Sequence, residues 1–240
     1  SFPTRRSSDL GLEKAEPVLE EDWLPSHSDV YRERYHPAYR VISADWSPCI
    51  DAVLRIAKAN AERLLITLDG PCATGKTTLA ERLAQVFRCP VIHTDDFVIP
   101  HAQKTPERLA VPGGNCDAER LAAEVLAPWK RGEAGRYRKY NWNSRSLAPE
   151  ETLPDSARLI LEGSYCNLPA IRAYADVRLF LTAPLETRLS RLRQRESPES
   201  LRGFFERWIP LENAYIAAYR LPDEGCAVIA GKEEMHRCDY

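Results

Sequence analysis

"LDGPCATGKTTLAERL", residues 68–83, sets four residues between two glycines and follows the second with Lys76 and Thr77. An apolar run rich in β-formers, "RLLITLD" (63–69), leads into it and reads as a buried strand. Helical spacing follows, from about Lys76 to Phe87. A strand, a turn with glycine freedom and a helix start are what a polyphosphate requires. Backbone N–H groups must wrap the anion, glycine allows the close approach, and the helix aims its free N–H groups and positive dipole end at it. Gly70, Pro71, Cys72, Ala73, Thr74, Gly75, Lys76 and Thr77 fit the pattern G-x-x-x-x-G-K-[ST], and Thr78 continues it. Lys76 has the reach for β- and γ-phosphates, and the Thr77 hydroxyl suits Mg²⁺. Cys72 reads as filler in that loop rather than as a nucleophile.

Strand and helix signals alternate from there. "PVIHT" (90–94), "RLILEG" (158–163), "DVRLFLT" (176–182) and "CAVIAG" (226–231) read as strands. Helices are expected from Asp117, a good N-cap, to about Lys130, from Pro184 onward, and from about Pro198 to Tyr219 with a break or kink near Pro210. Residues 98–116 read as a loop, and 132–149 as a polar, basic and aromatic excursion. Upstream, 11–62 read as an N-terminal extension, with an edge strand at 39–43 and a helix at 50–63. Residues 1–10 resemble translated sequencing adapter and are set aside. Alternation of this kind predicts an α/β domain over 63–240, a parallel β-sheet with helices on both faces, whose ligands sit at the strands' carboxyl ends.

Candidate chemistry falls at those ends. Asp95 and Asp96, in "HTDDFVIP", follow a strand, where a carboxylate can position an acceptor hydroxyl, take its proton or help hold Mg²⁺. Two adjacent acids predict a division of labour. Glu162 ends "LILEG", where an acid can orient the hydration shell of Mg²⁺, and Gly163 would allow close approach. Arg188, Arg191 and Arg195 share a helix face and suit phosphate oxygens or transition-state charge. Tyr137, Tyr140 and Trp142 suit a flat heterocycle, and Asp117 and Arg145 complete the candidate substrate contacts. His93 reads as a packed core histidine.

The 240-residue chain carries a formal net charge of −2, which lacks the basic surplus of a nucleic-acid binder. Seven cysteines without a CxxC pair argue against a zinc site or disulfide framework and for reduced thiols in a cytosol. No run approaches membrane-span length, so the expected partner is a small-molecule substrate, with neither membrane nor nucleic acid, and a homo-oligomer is compatible with this reading.

The motifs "DGPCATGKTTLAERL", "TDDF", "YNWNSRS", "LILEGSY", "DVRLFLTAPLETRLSRLRQRE" and "WIPLENAYI", in that order, resemble the uridine kinase family of P-loop nucleoside kinases, over about Ile66 to Ile229. The resemblance implies a P-loop kinase fold with a nucleoside-binding excursion and an arginine-bearing lid at about 193–203. It implies transfer of a γ-phosphoryl from ATP or GTP, with Mg²⁺, to the 5′-hydroxyl of uridine or cytidine. It also implies roles: Asp95 as base, Glu162 near the magnesium, Tyr140 in the nucleoside pocket and Arg188, Arg191 and Arg195 entering the lid.

Overall fold

The structure, a computed structural model, describes residues 62–230 and, ahead of them, Val30, Glu33, Arg34 and Val53. Contacts divide the chain into two compact units, Ser1–Trp46 and Ser47–Tyr240, and the sheet and site belong to the second. The strand expected at 39–43 lies outside the described residues. Of the helix expected at 50–63, Val53 is helical and buried, Glu62 and Arg63 form a bend, and the rest lies outside them.

Among the described residues seven strands follow: β1 (Leu64–Asp69), β2 (Val91–His93), β3 (Arg136–Asn141), β4 (Ser146–Thr152), β5 (Arg158–Glu162), β6 (Val177–Thr182) and β7 (Cys226–Ala230). Five of them form one sheet in the order β2-β5-β1-β6-β7, every pair parallel. All six residues of the central β1 are buried, which is why it reads as an unbroken apolar run rather than an alternating one. Helix α1 (Lys76–Phe87) buries Leu79, Ala80, Leu83 and Phe87 and packs along β5, β1 and β2. The main core gathers Leu65, Leu159, Leu161 and Phe180 from the sheet with Leu121, Val125, Trp129 and Tyr215 from helices.

The expected loop over 98–116 holds a short helix, α2 (Pro106–Ala110), whose N-cap Thr105 accepts a hydrogen bond from the Arg108 N–H at 3.2 Å. It buries no residue, so it leaves no apolar period to read. Helix α3 runs on through Ala118–Leu121, Ala122–Leu126 and Ala127–Lys130, its middle segment a π turn. Pro128, which has no N–H for the carbonyl four residues back, explains the wider turn. After α4 (Pro169–Arg172) and α5 (Leu185–Arg195), helix α6 repeats the device: Pro198–Gly203, a π turn at Phe204–Trp208, then Ile209–Tyr219 with Pro210 at its start. The chain therefore widens at Pro210 and stays helical. Residues 136–152 form a separate antiparallel ribbon, β3 against β4, with Tyr137 and Tyr140 buried.

Gly163 decides how closely β2 and β5 end together. Its φ is +130°, and a Cβ there would lie 2.1 Å from Thr94 Oγ1. Thr94 in turn donates to the Ser164 carbonyl at 2.8 Å, and the turn Thr94–Asp96 follows directly. Gly163→Ala is expected to cost about 1–3 kcal/mol in backbone strain alone and to push the acid-bearing turn off β5. The denaturation midpoint would fall. Adding Thr94→Ala should recover only the steric part, and full recovery would contradict the strain assignment.

Candidate functional site

The phosphate loop leaves the carboxyl end of β1 as a strained turn. Ala73 (φ +61°) and Gly75 (φ +97°) both take left-handed backbone, and a Cβ on Gly70 would lie 2.2 Å from the Leu181 carbonyl oxygen. No side chain caps the start of α1 and no acid stands in its first turn, so its leading N–H groups are left for an anion. Lys76 is buried across the loop, its Nζ donating to the carbonyls of Gly70 and Pro71, each at 2.9 Å. Thr78 stands exposed beyond it.

Helix α5 grips the outside of this loop. Arg188 Nε donates to the Cys72 carbonyl at 2.8 Å, and Arg191 Nη1 donates to the Ala73 carbonyl at 3.1 Å. In a trans peptide the N–H points opposite to the C=O. Holding those two carbonyls therefore turns the Ala73 and Thr74 N–H groups away from α5. Arg195, farther along the helix, is exposed and bonds its neighbour Glu196 at 2.8 Å. Burial pushes the Cys72 thiol up to about 11, which leaves it without nucleophilic character at neutral pH.

Glu212 was invisible as a site residue in the sequence, yet it is buried behind the loop. Its carboxylate accepts from the Cys72 N–H (2.9 Å) and Ser164 Oγ (2.7 Å) and stands 3.8 Å from Arg188 Nη2. Removing one member of a buried ion pair strands the other charge, at about 3–5 kcal/mol. Glu212→Ala is accordingly expected to lower the melting midpoint and to weaken the nucleotide binding that the loop's sequence predicts, while Glu212→Gln, which keeps the shape, should be milder. Unchanged binding of an ATP analogue to a folded Ala variant would refute the bracing role.

Beyond the loop Glu162 and His93 are bonded, and Asp95 and Asp96 stand in the turn that follows His93. Glu162 is buried; its Oε1 accepts from Thr77 Oγ1 at 3.2 Å and lies 2.5 Å from His93 Nδ1. His93 is half-exposed and bound to Glu162, which corrects the core-histidine expectation. β2 is only three residues long and ends at His93, so the sheet's carboxyl edge, not the core, receives this side chain. The Glu162 bond raises the imidazole's pKa. Asp95 reaches solvent but stands in a concavity crowded by protein. That desolvation, reinforced by the Glu162 charge, pushes its carboxyl above the ordinary value, and Lys76 opposes the shift. Asp96 is also raised, chiefly by desolvation, but its strongest charged neighbour is Lys139 on the ribbon. The adjacent acids thus face different surroundings, one the phosphate loop and the other the ribbon.

The substrate-side candidates fall into a second group. Tyr140 is buried, in an edge-on contact with half-exposed Trp142 at 5.2 Å. Trp142 meets Trp208 of α6 at 5.9 Å, and Lys104 lies over the Tyr140 ring at 5.6 Å. Arg145 is exposed in the ribbon turn with φ +52°. Asp117 caps α3 by accepting from the Arg120 N–H at 3.2 Å and pairs with its guanidinium at 2.9 Å. That guanidinium also reaches the Arg138 carbonyl and lies 4.6 Å over Phe97, so it ties the ribbon to the acid turn. From the sequence no site role is expected for Arg120, Lys104 or Trp208, although Trp208 opens the motif "WIPLENAYI".

Sheet order, phosphate loop and strand-end acids together define a P-loop kinase fold. Its solved likenesses include a possible uridine kinase from Bacillus stearothermophilus (21% identity, 76% of this chain and 99% of that one, TM-score 0.55). They also include a candidate fructose transport system kinase from Silicibacter sp. TM1040 (24% identity, 78% of this chain and 100% of that one, TM-score 0.56). Among curated proteins, the cytidylate kinase of Acidiphilium cryptum (strain JF-5) is 27% identical over 140 residues, 53% of this chain. The chain spans 65% of that relative's length. No family model matches. Among the described residues no helix is long and apolar enough to cross a membrane.

Proposed function

We propose that this chain transfers the γ-phosphoryl group of ATP or GTP to a hydroxyl of a small molecule. The observation that carries the reading is the meeting of Lys76, Thr77, Glu162 and Asp95 at the carboxyl ends of three adjacent strands. The loop from Gly70 to Thr78 binds the phosphates through N–H groups, and Lys76 neutralises their charge. Asp95 faces the loop, orients the acceptor hydroxyl and accepts its proton, its raised affinity for protons bringing it nearer the range useful for a base. Asp96 faces the ribbon and positions the acceptor. Magnesium fits the donor set, since Thr77 Oγ1 and Glu162 Oε1 are hard oxygens side by side, and the ion needs only one or two protein oxygens beside its waters and the nucleotide. A magnesium ion held there would supply charge neutralisation for the phosphates.

The 5′-hydroxyl of a pyrimidine nucleoside is the first acceptor to assay, because the ribbon's Tyr140 and Trp142 offer a heterocycle an aromatic wall. A vitamin or sugar alcohol is the second. Labelled ATP with a panel of such alcohols tests the reading. Transfer that requires Lys76 supports it. Acceptor-independent hydrolysis alone would instead make the chain a nucleotide switch.

A further inference from the structure

We propose that the acceptor carries a negative charge away from its reacting hydroxyl, a phosphate monoester or carboxylate held by Lys104, Arg145 and Arg207. The proposal rests on the kinase reading above and narrows its substrate class.

Three separate segments bring these cations together. Lys104 follows the turn His101–Gln103, Arg145 sits in the turn between β3 and β4, and Arg207 lies in the π turn of α6. One aromatic row, Tyr140, Trp142 and Trp208, in edge-on contacts of 5.2 and 5.9 Å, carries Lys104 and Arg207 over its two end rings, and Arg145 shares the β3–β4 turn with Trp142. Lys104 Nζ stands 5.6 Å from the Tyr140 centroid, and Arg207 Cζ stands 4.7 Å from that of Trp208. The row begins on the ribbon, whose β3 packs against the acid turn Thr94–Asp96.

Neighbouring basic side chains have acid partners: Lys139 with Glu151 at 3.0 Å, Arg136 with Glu150 at 3.6 Å and Arg108 with Glu119 at 2.7 Å. Among the described residues Lys104, Arg145 and Arg207 form no ion pair. Partial burial, and then the charges of Arg207 and Arg145, lower the proton affinity of Lys104, so both arginines repel the lysine. An anion relieves that repulsion, and arginine forks match phosphate and carboxylate oxygens. The aromatic row accepts the uncharged body of the same molecule. A neutral acceptor would use the row and leave three like charges unmatched.

Matched acceptors with labelled ATP at constant ionic strength test this: uridine against uridine 3′-monophosphate, fructose against fructose 6-phosphate, and glycerol against glycerate. In at least one pair the charged member should be preferred by about tenfold or more in kcat/KM, chiefly through KM. Lys104→Gln, Arg145→Ala and Arg207→Ala should erase that preference while a fluorescent ATP analogue still binds. Equal or inverted preference in every pair overturns the proposal. So do variants that weaken ATP binding and leave the ratio unchanged, since the cations then serve the nucleotide. Should no pair support transfer, the kinase reading fails separately, and calorimetry with the same pairs still decides. Tighter binding of a charged member, lost in the variants, sustains the proposal, and no such difference refutes it.

Discussion

Lys76→Ala should lose at least about 10²–10³-fold in turnover, the cost of removing one preorganised group aimed at developing charge. The ammonium is a compact point charge on a flexible stem, and at rest it bridges the Gly70 and Pro71 carbonyls. It is therefore already inside the turn that would wrap the phosphates and needs only a short swing to reach them. Lys76→Arg is not conservative here. A planar guanidinium cannot reproduce the point-like bonds that Nζ makes to the two carbonyls, so its loss should approach that of alanine. Steady-state transfer from labelled ATP, with melting curves to confirm folding, provides the measurement. A folded Ala variant with wild-type turnover would end the phosphate-loop reading.

Asp95→Asn should retain nucleotide binding and lose about 10²–10⁴-fold in kcat, the usual worth of a positioned proton acceptor. The pH profile carries the sign. Desolvation by the protein crowded around it, reinforced by the Glu162 charge, raises the carboxyl, so the wild-type acid limb should lie above the ordinary aspartate value of about 3.9. As pH falls through that raised value the group takes up a proton and can no longer accept one. The Asn variant should lack the limb, and Asp96→Asn should keep it. Stability should move the other way. The folded chain holds this proton more tightly than the unfolded chain, so folding loses stability as pH rises through the window between the two values. At neutral pH the charge is a cost, and Asp95→Asn should melt no lower than wild type. Retained activity in the Asn variant would remove Asp95 from the role, and loss of the limb in Asp96→Asn alone would transfer it.

Much of this was legible locally. The strand before Gly70, the turn and the helix from Lys76 to Phe87 each follow from neighbours within a few residues, because turn freedom and helical period are local properties. Burial of β1 on both faces left an apolar run, and that run announced a covered parallel sheet. The same logic misled at His93, where an apolar context suggested the core but a short strand delivers the ring to the sheet edge. The polar helix Pro106–Ala110 left no period to detect.

By itself, then, the chain's order of residues determined a glycine turn between a strand and a helix on a parallel sheet, with acids at its strand ends. Glu212 lies 140 residues from the Cys72 N–H it holds, and Arg188 lies 116 residues from the carbonyl it turns. Lys104, Arg145 and Arg207 come from three segments with no common motif. Only the tertiary structure could decide these, because a hydrogen bond or a repulsion between charges depends on distance in space, and chain separation says nothing of it until the sheet and helices have packed.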